Sequence, residues 1–201
     1  MKITEKIKMD LMVKSRNDYK KALLALLDKN DKAVVLDLGC GEYKRLTKKI
    51  KETIGTDKMY GIDLDVGSVD KDILVYQGDL NKSFPMQDGV FDVVVASQII
   101  EHLWNTDGFL KEIRRCLKPT GYAVISTPNL SAWYNRIYLL LGKQPEPCKV
   151  SEDMFPNYEK PGHLRIFTES EFIKFLRFHG FKVEKVLKTF GNITVKVRKG
   201  Q

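Results

Sequence analysis

The chain has 201 residues, of which 43% are hydrophobic and 30% are charged. This length suits one domain with a sizeable core, and the composition is that of an ordinary globular protein rather than a fibrous or disordered one. The longest apolar runs are too short to span a membrane, and the first six residues carry charges where a secretory signal needs an apolar segment. We therefore expect one domain over residues 1–201, without a membrane span, in the cytoplasm.

The net charge of +8 is the unusual feature of the composition. Such an excess of basic residues favours anionic partners, RNA among them. The lysines are spread along the chain without a consecutive basic block, so a solvated basic surface is the simpler interpretation. Cys40, Cys116 and Cys148 lack metal-ligand spacing. We expect them to be reduced and structural, and we predict no metal site.

Residues 5–27 have helical spacing, and residues 1–30 are predicted to form an N-terminal helical cover. Strand-like and helix-like segments then alternate, which predicts a parallel sheet with helices on both faces. The predicted strands are residues 33–38, 59–63, 73–76, 91–96 and 122–126, and the predicted helices are residues 43–51 and 108–117.

The last third of the chain has a different pattern. A helix is predicted over residues 169–178, and the runs 181–187 and 192–197 predict an antiparallel hairpin at the sheet edge. Residues 129–165 are rich in aromatic residues and prolines, and we predict an insertion without a regular element that covers the acceptor pocket as a lid. A satellite core is the alternative. The candidate lid residues are Trp133, Tyr134, Phe155, Tyr158, His163 and Arg165.

Acidic residues and glycines follow the first three predicted strands. Gly39-Cys40-Gly41 comes after the first strand, Asp63 ends the second, and Asp79 follows the third. Ligands of open α/β sheets bind at the carboxyl ends of the strands, so these segments are expected to meet at one site. The glycines let backbone N–H groups approach a ligand, and a carboxylate can accept both hydroxyl hydrogens of a ribose. The pattern predicts a nucleoside-containing cofactor.

This order of segments resembles the class I S-adenosylmethionine-dependent methyltransferases. Asp37-Leu38-Gly39-Cys40-Gly41 is similar to the first motif of that family, an acidic residue followed by alternating glycines. Asp63 matches its ribose-binding acid, and Asp79 matches its adenine-contacting acid. Two later segments resemble its fourth strand and the entry to its fifth, namely Phe91-Asp92-Val93-Val94 and Leu117-Lys118-Pro119-Thr120-Gly121-Tyr122. The resemblance is strongest over residues 33–127.

The resemblance implies an α/β fold with a doubly wound seven-stranded sheet, mostly parallel with an antiparallel last strand. It also implies S-adenosylmethionine as the cofactor and methyl transfer as the activity. The residues expected to bind the cofactor are Asp37, Gly39, Cys40, Gly41, Asp63, Leu64, Asp79, Leu80, Ser97 and Gln98.

Two positions set this chain apart from related nucleotide-binding patterns. Tyr43 stands where the methyltransferase family has a third glycine, and we expect its ring to pack on the following helix. The nicotinamide fingerprint requires a glycine at position 44, where this chain has Lys44. A nicotinamide-dependent dehydrogenase is therefore the weaker alternative.

The segment after the fourth strand contains the candidate acceptor-side residues Ser97, Gln98, Glu101 and His102. Histidine titrates near neutral pH, so His102 is a candidate general base, with a purely structural histidine as the alternative. The segment lacks the Asn-Pro-Pro-Tyr motif of enzymes that methylate nucleobase amines or glutamine. The segment from Ala96 to Leu103 resembles the corresponding segment of small-molecule methyltransferases in this family, and this resemblance implies a small-molecule or lipid-like acceptor that attacks the sulfonium methyl group in line. The alternatives are an RNA or protein acceptor, and a protein that binds the cofactor without catalysis.

Overall fold

A computed structural model describes residues 18–41, 44–67, 70–145 and 162–200. Within these residues seven strands form one sheet. They are β1 (Val34–Leu38), β2 (Lys58–Asp63), β3 (Leu74–Gln77), β4 (Phe91–Ser97), β5 (Leu117–Pro128), β6 (Phe181–Lys188) and β7 (Asn192–Lys199). The α-helices with defined bounds are α1 (Arg45–Ile54), α2 (Thr106–Cys116), α3 (Trp133–Leu140) and α4 (Glu169–Phe178). A 3₁₀ turn at Ile100–His102 follows β4.

The strand order across the sheet is β3-β2-β1-β4-β5-β7-β6. Strands β1 to β5 are parallel, whereas β7 runs antiparallel to both of its neighbours, β5 and β6. Strand order reverses between β1 and β4, which is where ligands bind in sheets of this type. The predicted fold class is therefore confirmed, including the single antiparallel strand and the hairpin at the edge.

Helices cover both faces of the sheet, because its central strands are apolar on both sides. On one face, α2 and α4 contribute Phe109, Ile113 and Phe172 to a core that includes Leu36. On the other face, α1 and residues 18–27 pack Ile50, Leu23 and other apolar side chains against Val35 and Val95. The sheet is thus held between two apolar layers.

Several element boundaries differ from the predicted ones. Helix α1 begins at Arg45 because Lys44 has a left-handed backbone with φ 48°, and it ends at Ile54 because the next residue, Gly55, is also left-handed, with φ 82°. Helix α2 begins at Thr106 because the side chain of Asn105 accepts a hydrogen bond from Gly108 N. Strand β5 begins five residues earlier than predicted, since Leu117 already pairs with Phe91. Tyr43 lies outside the described residues.

The prediction that residues 129–165 lack a regular element was wrong, because α3 lies within them. The apolar run up to Leu140 forms the second half of this helix. Before its first residue, the Asn129 side chain accepts hydrogen bonds from Ser131, and the Asn129 carbonyl accepts one from Asn135 Nδ2. Short helices with few polar positions have little amphipathic pattern, so this one was missed. Phe155, Tyr158 and Cys148 lie outside the described residues.

The predicted N-terminal helical cover is described only from residue 18 onward. Residues 18–24 are helical, and Leu23, Leu26 and Leu27 are buried against the sheet. Asp28 continues this packing, since its N–H donates to the Tyr122 hydroxyl and its carboxylate pairs with Lys196 at 2.6 Å. Across the described part of the chain, every helix is too short or too polar to cross a bilayer.

Candidate functional site

The parallel strands end at one edge of the sheet, and their registers bring the predicted site residues together there. Leu38 at the end of β1 pairs with Ile62 on β2 and with Ala96 on β4. Asp63 pairs with Gln77 at the end of β3, and Ser97 pairs with Ser126 on β5. We refer to the ends of β1, β2 and β3 as the cofactor half of this edge, after the cofactor predicted to bind there, and to the ends of β4 and β5 as the acceptor half, after the predicted acceptor-side residues.

The turn after β1 has the geometry that its glycines predict. Gly39 and Gly41 have φ values of 74° and 70°, which side-chain-bearing residues adopt only under strain. A β-carbon on Gly39 would lie 3.0 Å from Ile99 Cδ1, whereas one on Gly41 would meet no atom within 4 Å. Gly39 thus lets the segment after β4 lie close over the turn, and Gly41 borders open space.

Asp63 connects the end of β2 to this turn. Its Oδ2 accepts a hydrogen bond from Gly41 N at 2.8 Å, and its Oδ1 accepts one from Asp65 N at 3.3 Å. The buried Lys44 donates from Nζ to the Val66 carbonyl at 2.9 Å, which fixes the loop after β2 against the start of α1. The turn and the carboxylate are therefore held as one unit.

Asp37 lies beneath the turn rather than at its surface. It is 2% exposed, and its Oδ2 accepts a 2.6 Å hydrogen bond from Thr47 Oγ1 on α1. Burial raises the pKa of the Asp37 carboxyl from 3.8 to about 7 against the opposing effect of Thr47. This carboxyl supports the turn from below.

The remaining cofactor-half residues divide between packed and open positions. Cys40 is buried, and a β-carbon on Gly61 would lie 2.9 Å from its sulfur, so the glycine on β2 makes room for it. Burial raises the pKa of the Cys40 thiol to about 12, which makes it a poor nucleophile. Leu80 packs in the core, whereas Leu64 is 68% exposed beside Asp63.

Asp79 shapes the loop that follows β3. Its Oδ1 accepts hydrogen bonds from the backbone N–H and the Nδ2 of Asn81, and these lower the pKa of its carboxyl. Asn81 in turn accepts from the N–H groups of Trp104 and Asn105. The loops after β3 and β4 are thereby joined. Asn81 was not predicted as a site residue, although its spacing from Asp79 is that of an Asx turn.

The acceptor half begins with Ser97 and Gln98 at the end of β4. Gln98 has a left-handed backbone with φ 54°, and its N–H donates to the Ser126 carbonyl at 3.0 Å. The Ser97 hydroxyl lies 3.4 Å from the Ser126 hydroxyl, to which Gln98 Nε2 also donates at 3.3 Å. A strained backbone at a residue other than glycine is a common feature of functional sites. Here it turns the chain so that Ile99 can cover Gly39.

Glu101 and His102 follow in the 3₁₀ turn and lie beside His163. The Glu101 side chain is 1% exposed, and its Oε2 accepts a 3.2 Å hydrogen bond from Thr127 Oγ1. Burial raises the pKa of Glu101 to about 8. The rings of His102 and His163 meet edge to face with centroids 4.9 Å apart. Both histidines were predicted as candidate residues, His102 in the segment after β4 and His163 in the lid. Thr127 was not predicted as a site residue.

The described part of the predicted lid contacts the rest of the chain in two places, one at the segment after β4 and one at the β6–β7 turn. Arg165 donates from a guanidinium nitrogen to the Leu103 carbonyl at 2.9 Å. At the other end, Tyr134 stacks on Phe190 with ring centroids 5.1 Å apart, and Trp133 meets both rings edge to face. These aromatic contacts form a small cluster between α3 and the β6–β7 turn.

Comparisons with known proteins agree on the family. A family model described as a methyltransferase domain matches residues 13–186. A protein of Mycolicibacterium smegmatis, named as a probable S-adenosylmethionine-dependent methyltransferase, is 31% identical over 159 residues. That match covers 78% of this chain and 54% of the relative, so the chain spans about half the length of this relative.

Two solved structures share the fold at low sequence identity. The S-adenosylmethionine-dependent methyltransferase of Mesorhizobium loti has a TM-score of 0.68 at 19% identity, with 89% of this chain and 96% of that chain covered. The Burkholderia thailandensis 1,6-didemethyltoxoflavin-N1-methyltransferase, solved with 1,6-didemethyltoxoflavin and S-adenosylhomocysteine, has a TM-score of 0.63 at 16% identity, with 97% and 88% covered. The chain belongs to the class I S-adenosylmethionine-dependent methyltransferases, as its sequence motifs predicted, and S-adenosylmethionine is the cofactor of this family.

Proposed function

We propose that this protein transfers the methyl group of S-adenosylmethionine to a small-molecule or lipid-like acceptor. The observation that carries the proposal is the contact between the two halves of the site. Ile99, in the segment that leads to Glu101 and His102, lies directly over Gly39 of the cofactor turn. An acceptor bound beside this segment would therefore lie next to the cofactor, as in-line transfer requires.

The residues of the cofactor half fit an adenosyl group. Gly41 borders open space and its N–H group is fixed by Asp63, so the turn leaves room for a ligand against its backbone. The Asp63 carboxylate supplies the charged acceptor for ribose hydroxyls, and the exposed Leu64 supplies an apolar surface for a purine ring. Asp79 is the candidate contact for the adenine amine. These assignments follow the motif positions and stay proposals.

Methyl transfer requires little covalent chemistry from the protein. The bound cofactor supplies an electrophilic methyl group on a sulfonium, and the chain must align the acceptor and exclude water. Gln98 and Ser97 are proposed to line the cleft between the two halves. His102 is the candidate base for the acceptor proton, since it is half-buried in the segment that faces the turn.

Two observations support a small, partly apolar acceptor. Helix α3 begins soon after β5 ends at the acceptor half, and it presents apolar side chains to solvent, with Leu140 85% exposed. Exposed apolar surface of this kind commonly marks a ligand or interaction site. The Burkholderia neighbour was solved with 1,6-didemethyltoxoflavin together with S-adenosylhomocysteine. The likeness to that protein supports this acceptor class as a proposal only.

An RNA acceptor is less well supported by the distribution of charge. The basic side chains of Lys111, Arg114, Arg115 and Lys199 outnumber the acidic Asp88 and Asp107 in a surface groove. This groove also contains Gly89 and Pro119, which lie at the amino-terminal side of the sheet. This is the edge opposite the cofactor turn, so the basic groove would not guide a nucleic acid to the methyl group. The cytoplasmic location expected from the sequence stays a prediction.

The proposal is tested by a methyl-transfer screen with isotopically labelled S-adenosylmethionine. The full chain is incubated separately with a metabolite pool, a lipid extract, total RNA and a protein extract. We expect label in the metabolite or lipid fraction, and none with a Gly39→Val variant that serves as the control for cofactor binding. Label confined to RNA or protein would overturn the acceptor class, and tight cofactor binding without label in any fraction would favour a non-catalytic protein.

We also propose that residues 129–165 form a lid within a single domain over residues 1–201, with residues 1–30 covering the other side of the cleft. A lid becomes more protected when the site is full. Hydrogen exchange across residues 133–165 should therefore slow when S-adenosylhomocysteine and an acceptor both bind. Identical exchange with and without the ligands would show a static satellite core instead.

A further inference from the structure

Glu101, His102 and His163 form a compact cluster of potential metal ligands. One donor atom from each, a carboxylate oxygen and two imidazole nitrogens, lies within 4.8 Å of the other two. The cluster joins the 3₁₀ turn after β4 to the carboxyl-terminal end of the candidate lid, which contains His163. The three residues were candidates, but their meeting could not be predicted, because His163 is distant from the other two residues along the chain.

The buried carboxyl of Glu101 indicates that the cluster serves a ligand rather than packing alone. Its Oε2 has Thr127 as a partner, but its Oε1 is buried and accepts no hydrogen bond from any described residue. A buried polar atom without a partner is costly, and buried carboxylates are normally paired or bound to a metal. A cation bound beside Glu101 would supply the partner that Oε1 lacks among the described residues.

We propose that Glu101, His102 and His163 bind a divalent transition-metal ion such as Zn²⁺. Two imidazoles and one carboxylate are the protein ligands of several catalytic zinc sites, which keep at least one coordination position open. The same donor set also suits Mn²⁺, Fe²⁺ and Co²⁺, whereas Mg²⁺ prefers oxygen ligands and keeps its waters. Both histidines are half-buried, whereas Glu101 is buried.

The surrounding chain holds these three residues in place. The Glu101 carbonyl accepts hydrogen bonds from Leu164 N at 2.9 Å and Arg165 N at 3.2 Å, which fixes the segment that carries His163. Thr127 orients the Glu101 carboxyl from the end of β5. Hydrogen bonds of this kind commonly orient metal ligands and tune their affinity. The cluster is thus anchored on two strands and on the returning chain.

If the proposed function holds, the bound ion indicates the chemical class of the acceptor, namely a compound that is methylated on a hydroxyl group. The cluster lies at the ends of β4 and β5, and β5 is two strand spacings, about 10 Å, from the glycine turn at β1. An acceptor hydroxyl bound to the ion would lose its proton to solvent near neutral pH. Its oxygen would then form the bond to the methyl carbon while the carbon–sulfur bond breaks and the sulfonium becomes a thioether. In this arrangement His102 is a metal ligand rather than the general base.

Metal binding is tested on the full chain after removal of bound ions with a chelator. Co²⁺ is titrated and followed by its visible absorption, and Zn²⁺ and Mg²⁺ are compared by equilibrium dialysis with elemental analysis. We expect one equivalent of Co²⁺ or Zn²⁺, with Mg²⁺ bound far more weakly. Stoichiometry well below one for both transition ions would overturn the proposal.

Three variants locate the site. Glu101→Gln keeps the shape of the side chain and its contact with Thr127, and His163→Ala removes a partly exposed ring. Each should weaken Co²⁺ binding by more than about 100-fold, since loss of a ligand exceeds the effect of losing an orienting partner. His179→Gln is the matched control, because His179 pairs with Asp107 elsewhere and should bind Co²⁺ like the unmodified chain.

The outcome is read independently of methyl transfer. S-adenosylhomocysteine binding and circular dichroism check that each variant is folded, so weak Co²⁺ binding in a folded Glu101→Gln variant supports the site. Unchanged Co²⁺ binding in folded Glu101→Gln and His163→Ala variants overturns it, as does an equal loss in His179→Gln. A chain that binds the ion but methylates only RNA or protein would contradict the proposed acceptor and leave the metal site intact.

Discussion

The cofactor half and the acceptor half of the site are built in different ways. In the cofactor half, the contacts join residues close in the sequence: Gly41 to Asp63 is 22 positions and Thr47 to Asp37 is 10. In the acceptor half, Arg165 contacts Leu103 across 62 positions. A site made by consecutive strand–turn–helix units is fixed by local sequence, whereas a site closed by a returning segment depends on the insertion that precedes it.

This difference predicts that the two halves respond separately to mutation. Changes in the cofactor half should alter affinity for S-adenosylhomocysteine, and changes in the acceptor half should alter turnover alone. Three of the four variants below test this division through cofactor affinity or turnover, and Asp37→Asn tests the packing of the cofactor half. They are given from the largest expected effect to the smallest.

Gly39→Val should abolish binding of the cofactor. The valine would require a left-handed backbone, and its β-carbon would lie 3.0 Å from Ile99 Cδ1. Gly89→Val is a matched control, because Gly89 also has a positive φ, of 66°, but borders open space. Calorimetry with S-adenosylhomocysteine measures the effect. Retained affinity in a folded Gly39→Val variant would show that the cofactor does not need this turn.

His102→Ala should reduce turnover while leaving cofactor affinity unchanged. Loss of a general acid–base group typically costs about 10²- to 10⁴-fold in rate, and loss of a metal ligand acts on the same step. The rate is measured with labelled S-adenosylmethionine and the acceptor found in the screen, and the affinity by calorimetry. A weakened affinity with normal turnover would break the proposed division between the halves.

Asp37→Asn should make the protein progressively more stable, relative to the unmodified chain, as the pH rises. The pKa of Asp37 is about 7 in the folded protein and about 4 when unfolded, so its ionisation disfavours the fold. The contribution of Asp37 to the free energy of unfolding is fully present below pH 4. It is lost as the pH rises through 7, and the total loss is up to about 4 kcal/mol.

Urea unfolding of both proteins at pH 4.5 and pH 8 measures this difference in the free energy of unfolding. Groups that do not interact with the Asp37 charge titrate alike in the two proteins, so their contributions cancel. A pH-independent difference would mean that Asp37 ionises normally beneath the turn, and that the cofactor half is less tightly packed than the structure indicates.

Asp63→Ala should weaken binding of S-adenosylhomocysteine by about 1.5–3 kcal/mol, because a charged hydrogen-bond partner is lost. Asp63→Asn should lose less, since its amide oxygen can still accept from Gly41 N. Asp65→Ala is the control, because that carboxylate accepts from Gly67 N in the same loop but is exposed. Equal losses for Asp63 and Asp65 variants would contradict a specific role for Asp63.

Much of the cofactor half could be predicted from the sequence because strand ends and glycines there have direct consequences. Gly39 and Gly41 have the positive φ values that a close backbone approach requires, and Asp63 lies at the end of β2 beside them. The burial of Asp37 under the turn was not predictable, since its partner Thr47 lies on the next helix. The motif predicted which residues gather at this edge of the sheet, but it did not show that Asp37 would be buried beneath the turn.

The acceptor half was only partly predictable. Glu101 and His102 were candidates because they follow β4, but nothing in the local sequence shows that His163 returns to them. Helix α3 was missed because its apolar residues are mostly exposed, so burial does not impose a helical period on them. Contacts between distant segments depend on the path of the chain, which pattern alone does not determine.

The position of β7 between β5 and β6 has a consequence for how the protein folds. Strand β5 is buried over most of its length, yet one of its edges is paired only with β7, which follows all other strands in the sequence. The ion pair of Asp28 with Lys196 likewise joins residues 168 positions apart. During synthesis, therefore, the apolar edge of β5 stays open until the last strand leaves the ribosome, and pairing with such distant partners is slow. Until then this edge is the surface on which aggregation would start.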